Sequence, residues 1–304
     1  MIETRLNGQF PPSYVVGERI NLTRLMNRGG ETSPRTPPLN PPTRITDARP
    51  LQARAASERD FFDSHGFVLL DAPTAVADWG DAAAVGQTYL AEVEALIRTR
   101  LYPGRTISIM QPPNVLRRGA GTDNPQYGTG VHQDYGITAD DFQQSVAAFA
   151  GPEAGAGWRT RFEQEDVEGF VMLDFWRTTM AEPLRHMPLA LCDPTSVDAH
   201  DIVPTALEGI APGGAITHHV SLRYNAEQRW FYYPDMKPSE VLVFKLFQLM
   251  RDEEPQRYRA CFHSAVEDPA TPPHAAQRQS CEHRVSVMLL RGTQSRSNAE
   301  TGSG

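Results

Sequence analysis

The distribution of proline limits this chain more than any other feature. Its 25 prolines gather at residues 34–50, 103–125 and 269–273. Proline removes a backbone donor and clashes with the preceding turn, so no long helix crosses these stretches and a helical bundle is excluded. Residues 33–42, Ser-Pro-Arg-Thr-Pro-Pro-Leu-Asn-Pro-Pro, are expected to be extended. The first 50 residues carry little periodicity. Residues 1–55 therefore read as an extended arm that wraps the domain, packs on a partner copy or stays a disordered tail. Residues 293–304 are polar and read as a flexible tail.

Between the proline clusters the hydrophobic period changes once. Ser57-Glu58-Arg59-Asp60 has the form of a capping box and opens a short helix that Gly66 would stop. Phe67-Val68-Leu69-Leu70 reads as a buried strand. Val85, Tyr89, Val93, Leu96 and Ile97 fall on one face of an amphipathic helix. Thr138 caps a second, with Phe142, Val146 and Phe149 on one face. The other apolar or alternating runs after residue 105 have strand length: 105–109, 170–176, 228–233, 241–247, 259–263 and 284–290. Helices first and short strands after predict a mainly β fold with flanking helices, a buttressed β-sandwich or jelly roll.

Charge and cysteine narrow the function class. The formal net charge of −8 argues against a nucleic-acid partner, which would need clustered Lys and Arg. Cys192, Cys261 and Cys281 are scattered and odd in number, which predicts free thiols and a reducing, cytoplasmic compartment. No apolar run approaches the roughly 18 residues of a membrane span. The expectation is a soluble enzyme with a small-molecule substrate and no membrane partner.

The chemistry centres on Val131-His132-Gln133-Asp134-Tyr135. On a strand, side chains two apart share a face, so one imidazole and one carboxylate converge. A second imidazole would complete the two-histidine, one-carboxylate set that holds iron(II) with positions left open. By itself His-x-Asp is weak, and its bland reading is a surface pair. Gly128-Thr129-Gly130 just before it lets the chain approach a sheet edge closely. His263, placed at the end of an apolar strand before the turn Glu267-Asp268-Pro269, is a candidate third ligand. Other histidines compete with it at this stage. His218 and His219 face opposite ways, His274 follows two prolines, His283 adjoins an arginine, and His65, His186 and His200 read as surface or cap residues. An organic cosubstrate with a far carboxylate would need a buried arginine. Arg284 with Ser286 offers one Arg-x-Ser pair and Arg278 with Ser280 another; the choice stays open.

Taken together, ordered blocks in the chain resemble a known family. They are Tyr89-Leu90-Ala91-Glu92-Val93-Glu94, Val131–Tyr135, Pro188-Leu189-Ala190-Leu191-Cys192-Asp193, Trp230–Met236 with Glu240 and Lys245, His263–Pro269, and Arg278–Arg284. From about residue 60 to 290 the chain resembles the CmcJ/NvfI-type, GA4-desaturase-like branch of the iron(II)/2-oxoglutarate-dependent oxygenases. The resemblance implies a single domain with a double-stranded β-helix (cupin-like jelly roll) core over 105–292. It implies iron(II), 2-oxoglutarate and oxygen, with His132, Asp134 and His263 as metal ligands. It raises Arg284 as the cosubstrate clamp, leaving Arg278 as the alternative. The implied activity is hydroxylation, desaturation, cyclisation or peroxidation of a small natural-product intermediate. Asp134 argues against a halogenase, which would need that carboxylate absent. Arg117, Trp176, Arg177, Tyr232 and Tyr233 are expected on the substrate side. Gln248 and Phe175-Trp176-Arg177 depart from the family pattern. The arm is compatible with a homodimer. The different-class alternative is a non-oxidative metal-binding β-sandwich, an isomerase or a binding module.

Overall fold

The computed structural model describes residues 1–23, 40–122 and 124–292. Most of the proline-rich stretch 33–42 and the whole tail 293–304 lie outside the described residues. The strands are β1 (Ile2–Thr4), β2 (Ile20–Asn21), β3 (Thr43–Asp47), β4 (Phe67–Asp71), β5 (Ile107–Met110), β6 (Leu116–Arg118), β7 (Val167–Thr178), β8 (Leu189–Cys192), β9 (Ile202–Leu207), β10 (Thr217–Leu222), β11 (Trp230–Tyr232), β12 (Glu240–Met250), β13 (His263–Ala265) and β14 (Ser280–Leu290). The α-helices are α1 (Arg49–Gln52), α2 (Glu58–His65), α3 (Ala82–Leu96), α4 (Ala139–Ala150) and α5 (Pro152–Phe162).

Two layers face each other. One is a sheet in the order β4-β12-β7-β14-β5, with β6 also paired to β14. The other combines a sheet β1-β3-β11-β8-β13 with a smaller sheet β10-β9-β2. Residues 131–133 join the two parts of that second layer. His132 and His263 exchange backbone bonds of 3.2 and 3.0 Å, and Gln133 exchanges bonds of 3.0 and 3.3 Å with Val220. The result is the jelly roll expected from the sequence.

Local signals explain several elements. Ser57 caps α2, accepting from the Asp60 N–H, and Gly66 ends it in the left-handed region at φ 73°. Thr138 and Asp141 form a reciprocal capping box on α4. On α3 the buried face is Val85, Tyr89 and Val93, and the helix runs on into a π-turn, Ile97–Leu101, that buries Ile97 and Leu101. Phe142 is buried against Trp158, Phe170 and Phe247, but Phe149 is 47% exposed. α4 ends at Gly151 and α5 takes over its coverage of the sheet. The α5 helix was not expected, although Pro152 at its first turn is a start signal. Gly155 permits the close approach of α4 and α5: a Cβ there would stand 2.8 Å from the Gln143 carbonyl.

The described residues among the first 50 do more than extend. β3 pairs parallel with β11 and β2 parallel with β9, while β1 pairs antiparallel with β3. Ile2, Leu6 and Ile45 enter a core cluster with Trp230, Tyr232 and Phe262. A larger cluster joins the β4-β12-β7-β14 sheet to α2, α3, α4 and α5. Among the described residues no helix is long and apolar enough to cross a membrane. All three cysteines are free and buried.

Candidate metal centre

His132, Asp134 and His263 meet at one point. One ligand atom from each lies within 4.8 Å of the others, and the two imidazole centroids are 4.4 Å apart. Two sequence expectations about how they get there need correction. His132 and Gln133 form isolated bridges rather than part of a strand. His263 begins β13 instead of ending a strand: the residue-by-residue pairing with β8 runs over His263–Ala265, and residues 261–262 make only single backbone bonds, to Lys245 and Cys192. Gly128 lies against the site, where a Cβ would come 3.3 Å from the His132 ring.

The hydrogen bonds of the two imidazoles leave the right atoms available. His132 Nδ1 lies 2.7 Å from the Gly130 carbonyl, and His263 Nδ1 lies 3.2 Å from the Cys261 carbonyl. A carbonyl can only accept, so each Nδ1 carries the proton and each Nε2 presents a lone pair. That is how outer partners set the tautomer of a metal-binding histidine. Burial, with the neighbouring His132, pushes His263 down to about 4, which keeps it neutral. Burial alone would raise Asp134, but the Arg284 guanidinium and His132 hold it well below the usual carboxylate range. Burial would lower the His132 imidazole, but the neighbouring Asp134 raises it; two imidazoles and one carboxylate around buried space fit iron(II).

Alternation along the strands decides what else lines this cleft. Glu282 and Arg284 of β14 stand opposite Trp176 and Asp174 of β7, and Phe244 of β12 stands opposite Asp174. All five line the cleft, with Arg118, Gly128, Leu189 and Arg278. Asp174 accepts from the His283 N–H at 3.1 Å, and burial together with Glu282 raises its carboxyl well above the ordinary range. Asp174, Phe244, Leu189, Arg118 and Glu282 were not singled out from the sequence. Parity could have found two: Asp174 is two residues before Trp176, and Glu282 two before Arg284.

The two candidate arginines differ sharply. Arg284 sits mid-strand, 3.1 Å from Asp134 Oδ2 and 3.3 Å from Glu282 Oε1. Arg278 is 2% exposed. Its guanidinium lies over the Tyr127 ring at 4.1 Å and the Trp176 ring at 5.5 Å, and donates to the Met187 carbonyl at 2.7 Å. Its Nε has no partner among the described residues. Burial pulls its pKa down to about 10. Ser286, the companion expected for Arg284, is not at the cleft, and its hydroxyl points to Met172 Sδ at 3.8 Å.

Of the five substrate-side expectations, only Trp176 lines the cleft. Arg117 and Arg177 both pair with Cys281 and so project from the opposite face of the sheet. There Arg177 stacks on Trp79 and Tyr89, each at 5.7 Å, and donates to the Ala72 and Pro238 carbonyls. Arg117 lines a separate cavity of about 390 Å³ with Trp79 and Thr122. Tyr232 belongs to the core cluster under the N-terminal strands. Tyr233 is buried beside Phe67 and donates to Gln52 Oε1 at 2.5 Å. Gln248 lies in another shallow cavity with Gln133 and Tyr258. The cavity near Trp79, and one of about 400 Å³ near Trp230, are roomier than the metal cleft of about 60 Å³. Neither contains the converging ligand set.

Residues 24–288 match the model of the oxidoreductase/YMDC permease-like domain family. The chain belongs to that family. The hydroxylase/desaturase efuI of Hormonema carpetanum is 30% identical to it over 102 residues, 31% of this chain and 33% of that protein. The hydroxylase/desaturase asaB of Aspergillus flavus is 28% identical over 132 residues, 40% of this chain and 56% of that protein. The match thus spans about a third of one relative and just over half of the other. Among solved structures, the iron and alpha-ketoglutarate-dependent endoperoxidase NvfI superposes with a TM-score of 0.61 at 22% identity, covering 82% of this chain and 86% of that one. The likeness shows a shared fold for this family member.

Proposed function

We propose that this chain is an iron(II)/2-oxoglutarate-dependent dioxygenase that oxidises a small natural-product intermediate. The observation that carries the reading is the convergence of His132, Asp134 and His263, with both Nδ1 atoms held by carbonyls so that each Nε2 is left for the site. The names of its relatives, hydroxylase/desaturases and an endoperoxidase, agree in chemistry. When bound, the metal and its keto-acid cosubstrate supply oxygen activation, with release of succinate and carbon dioxide. The protein supplies ligand geometry, orientation and shielding from water.

Arg278 is the better clamp for the far carboxylate of 2-oxoglutarate. A buried guanidinium without a carboxylate within 4 Å, among the described residues, is the group that an incoming anion stabilises most. Arg284 is already neutralised by Asp134 and Glu282. Trp176, Phe244 and Leu189 form the apolar wall against which a substrate carbon is held. The chain acts as a single oxygenase domain with its core over 105–292, and the free buried thiols suit a reducing cytoplasm.

The test is an anaerobic titration of the protein with iron(II) and 2-oxoglutarate, followed by exposure to oxygen. A visible charge-transfer band and release of succinate are expected, both lost in His132→Ala. An unchanged response in that variant would overturn the site, and metal binding without succinate would favour a non-oxidative role. Mass spectrometry of candidate metabolites after aerobic incubation then identifies the product class.

A further inference from the structure

Asp134 has two oxygens, and they face different partners. Oδ1 is turned to His132 Nε2, 3.5 Å away, on the side where the three ligand atoms meet. Oδ2 is turned to Arg284 Nη2, 3.1 Å away. Arg284 is itself held from behind, because the same nitrogen lies 3.3 Å from Glu282 Oε1, and Glu282 is held by Arg118 Nη2 at 3.1 Å. The four side chains form a row of alternating charge, Arg118–Glu282–Arg284–Asp134. Three of them stand on paired strands, β6 and β14, whose register fixes their spacing.

We infer that Arg284 is a positioning residue that occupies the second oxygen of Asp134 and so restricts this carboxylate to one bond with the metal. The inference rests on the iron site proposed above. A carboxylate can bind a metal through one oxygen or both. With one, the protein fills three positions of an octahedral ion and leaves three, enough for a chelating keto acid and oxygen. With both, the last of these is closed. Oδ2 meets Arg284 as an ion pair and not as an aligned hydrogen bond, and the guanidinium charge 3.1 Å away holds this oxygen back from swinging to the metal. Outer partners of this kind typically change metal affinity about 10–100-fold when removed. This role differs from a cosubstrate clamp, which acts on the ligand and leaves the metal untouched.

The experiment uses the full chain loaded with cobalt(II) in place of iron, with wild type, Arg284→Met, Arg284→Lys, Arg278→Met and His132→Ala compared. Cobalt affinity and the visible d–d spectrum report on the metal. The ratio of affinities for 2-oxoglutarate and 2-oxobutyrate, which chelates alike but lacks the far carboxylate, reports on the clamp. Arg284→Met is expected to bind cobalt about 10–100-fold more weakly, with a shifted d–d spectrum and a ligand ratio within twofold of wild type. Arg284→Lys, which keeps charge and one donor and is the safer variant for folding, should recover part of the affinity. Arg278→Met should show the reverse pattern, with a normal spectrum and a collapsed ratio. Wild-type affinity and spectrum in both Arg284 variants would overturn the inference. So would a collapsed ratio in Arg284→Met, which would make Arg284 the clamp. Failure of the iron site itself has a separate signature: cobalt binding unaffected by His132→Ala.

Discussion

The two faces of β7 and β14 are built from the same residues in strict alternation, yet they do opposite jobs. Toward the second layer they present Asp174, Trp176, Glu282 and Arg284, a charged and aromatic surface around the metal ligands. Toward the helices they present Leu173, Phe175, Val285 and Val287, all fully buried. The polar face is costly to bury, and it holds because Arg118, Glu282, Arg284 and Asp134 pair with one another and Asp174 accepts from the His283 N–H. The apolar face supplies the stability that carries this cost. Even its polar members are quiet: His283 lies edge-on near Tyr89 at 6.1 Å and meets Gln111 Oε1 at 3.0 Å. One strand pair thus separates function from stability by a step of a single residue.

Substitutions that sample the two faces put this division to the test. The largest effect belongs to the cleft. His263→Ala should abolish succinate release and weaken metal binding by more than the roughly 10–100-fold expected for an outer partner, while leaving the melting temperature of the metal-free protein within a few degrees of wild type. A collapse of the fold would mean that the ligands also carry the structure.

Next comes the apolar face. Phe175→Ala should cost about 3–5 kcal/mol in urea unfolding. Trp176→Phe, one residue away, should leave stability nearly unchanged and raise the KM for 2-oxoglutarate, because the ring under Arg278 is altered. Equal losses of stability from the two would erase the distinction between faces.

Acid sharpens the same contrast at intermediate size. Burial pushes His283 down to about 4 from its ordinary 6.5. Between those values the unfolded chain binds a proton that the folded chain does not, so stability is full above pH 6.5 and is lost as pH falls toward 4. The loss is about 1.4 kcal/mol per pH unit for this group. Unfolding of wild type and His283→Gln at pH 7 and pH 5 measures it; identical pH slopes would show that His283 is not the group responsible.

The smallest expected change is at the edge of both regions. Thr138→Ala removes one half of the α4 capping box and should lower stability by about 1 kcal/mol without altering succinate release.

How much could be read in advance follows from the range of each interaction. Ser57, Gly66 and Thr138 act on backbone groups within four residues, so their helices were legible in the chain. The His-x-Asp pair and the ordered blocks around it were legible too, and they pointed to the family and to His263. Proline spacing excluded a bundle, and the change of period announced strands after helices. What the chain could not reveal was which face each strand residue would take. Arg117 and Arg177 carry chemistry suited to a substrate pocket, but register turned both to the helix side. Tyr232 and Tyr233 went to core packing, in two different clusters. The division of labour between Arg278 and Arg284 is likewise tertiary, because it depends on Asp134, Tyr127 and Trp176, which lie more than 100 residues away. By itself the sequence determined the residue types, the local caps and the period of each segment, all set by neighbours along the chain. Only the tertiary structure decided which charges are paired, which guanidinium is left without an anion and which partner each oxygen of Asp134 faces, since pairing in space depends on how distant segments meet.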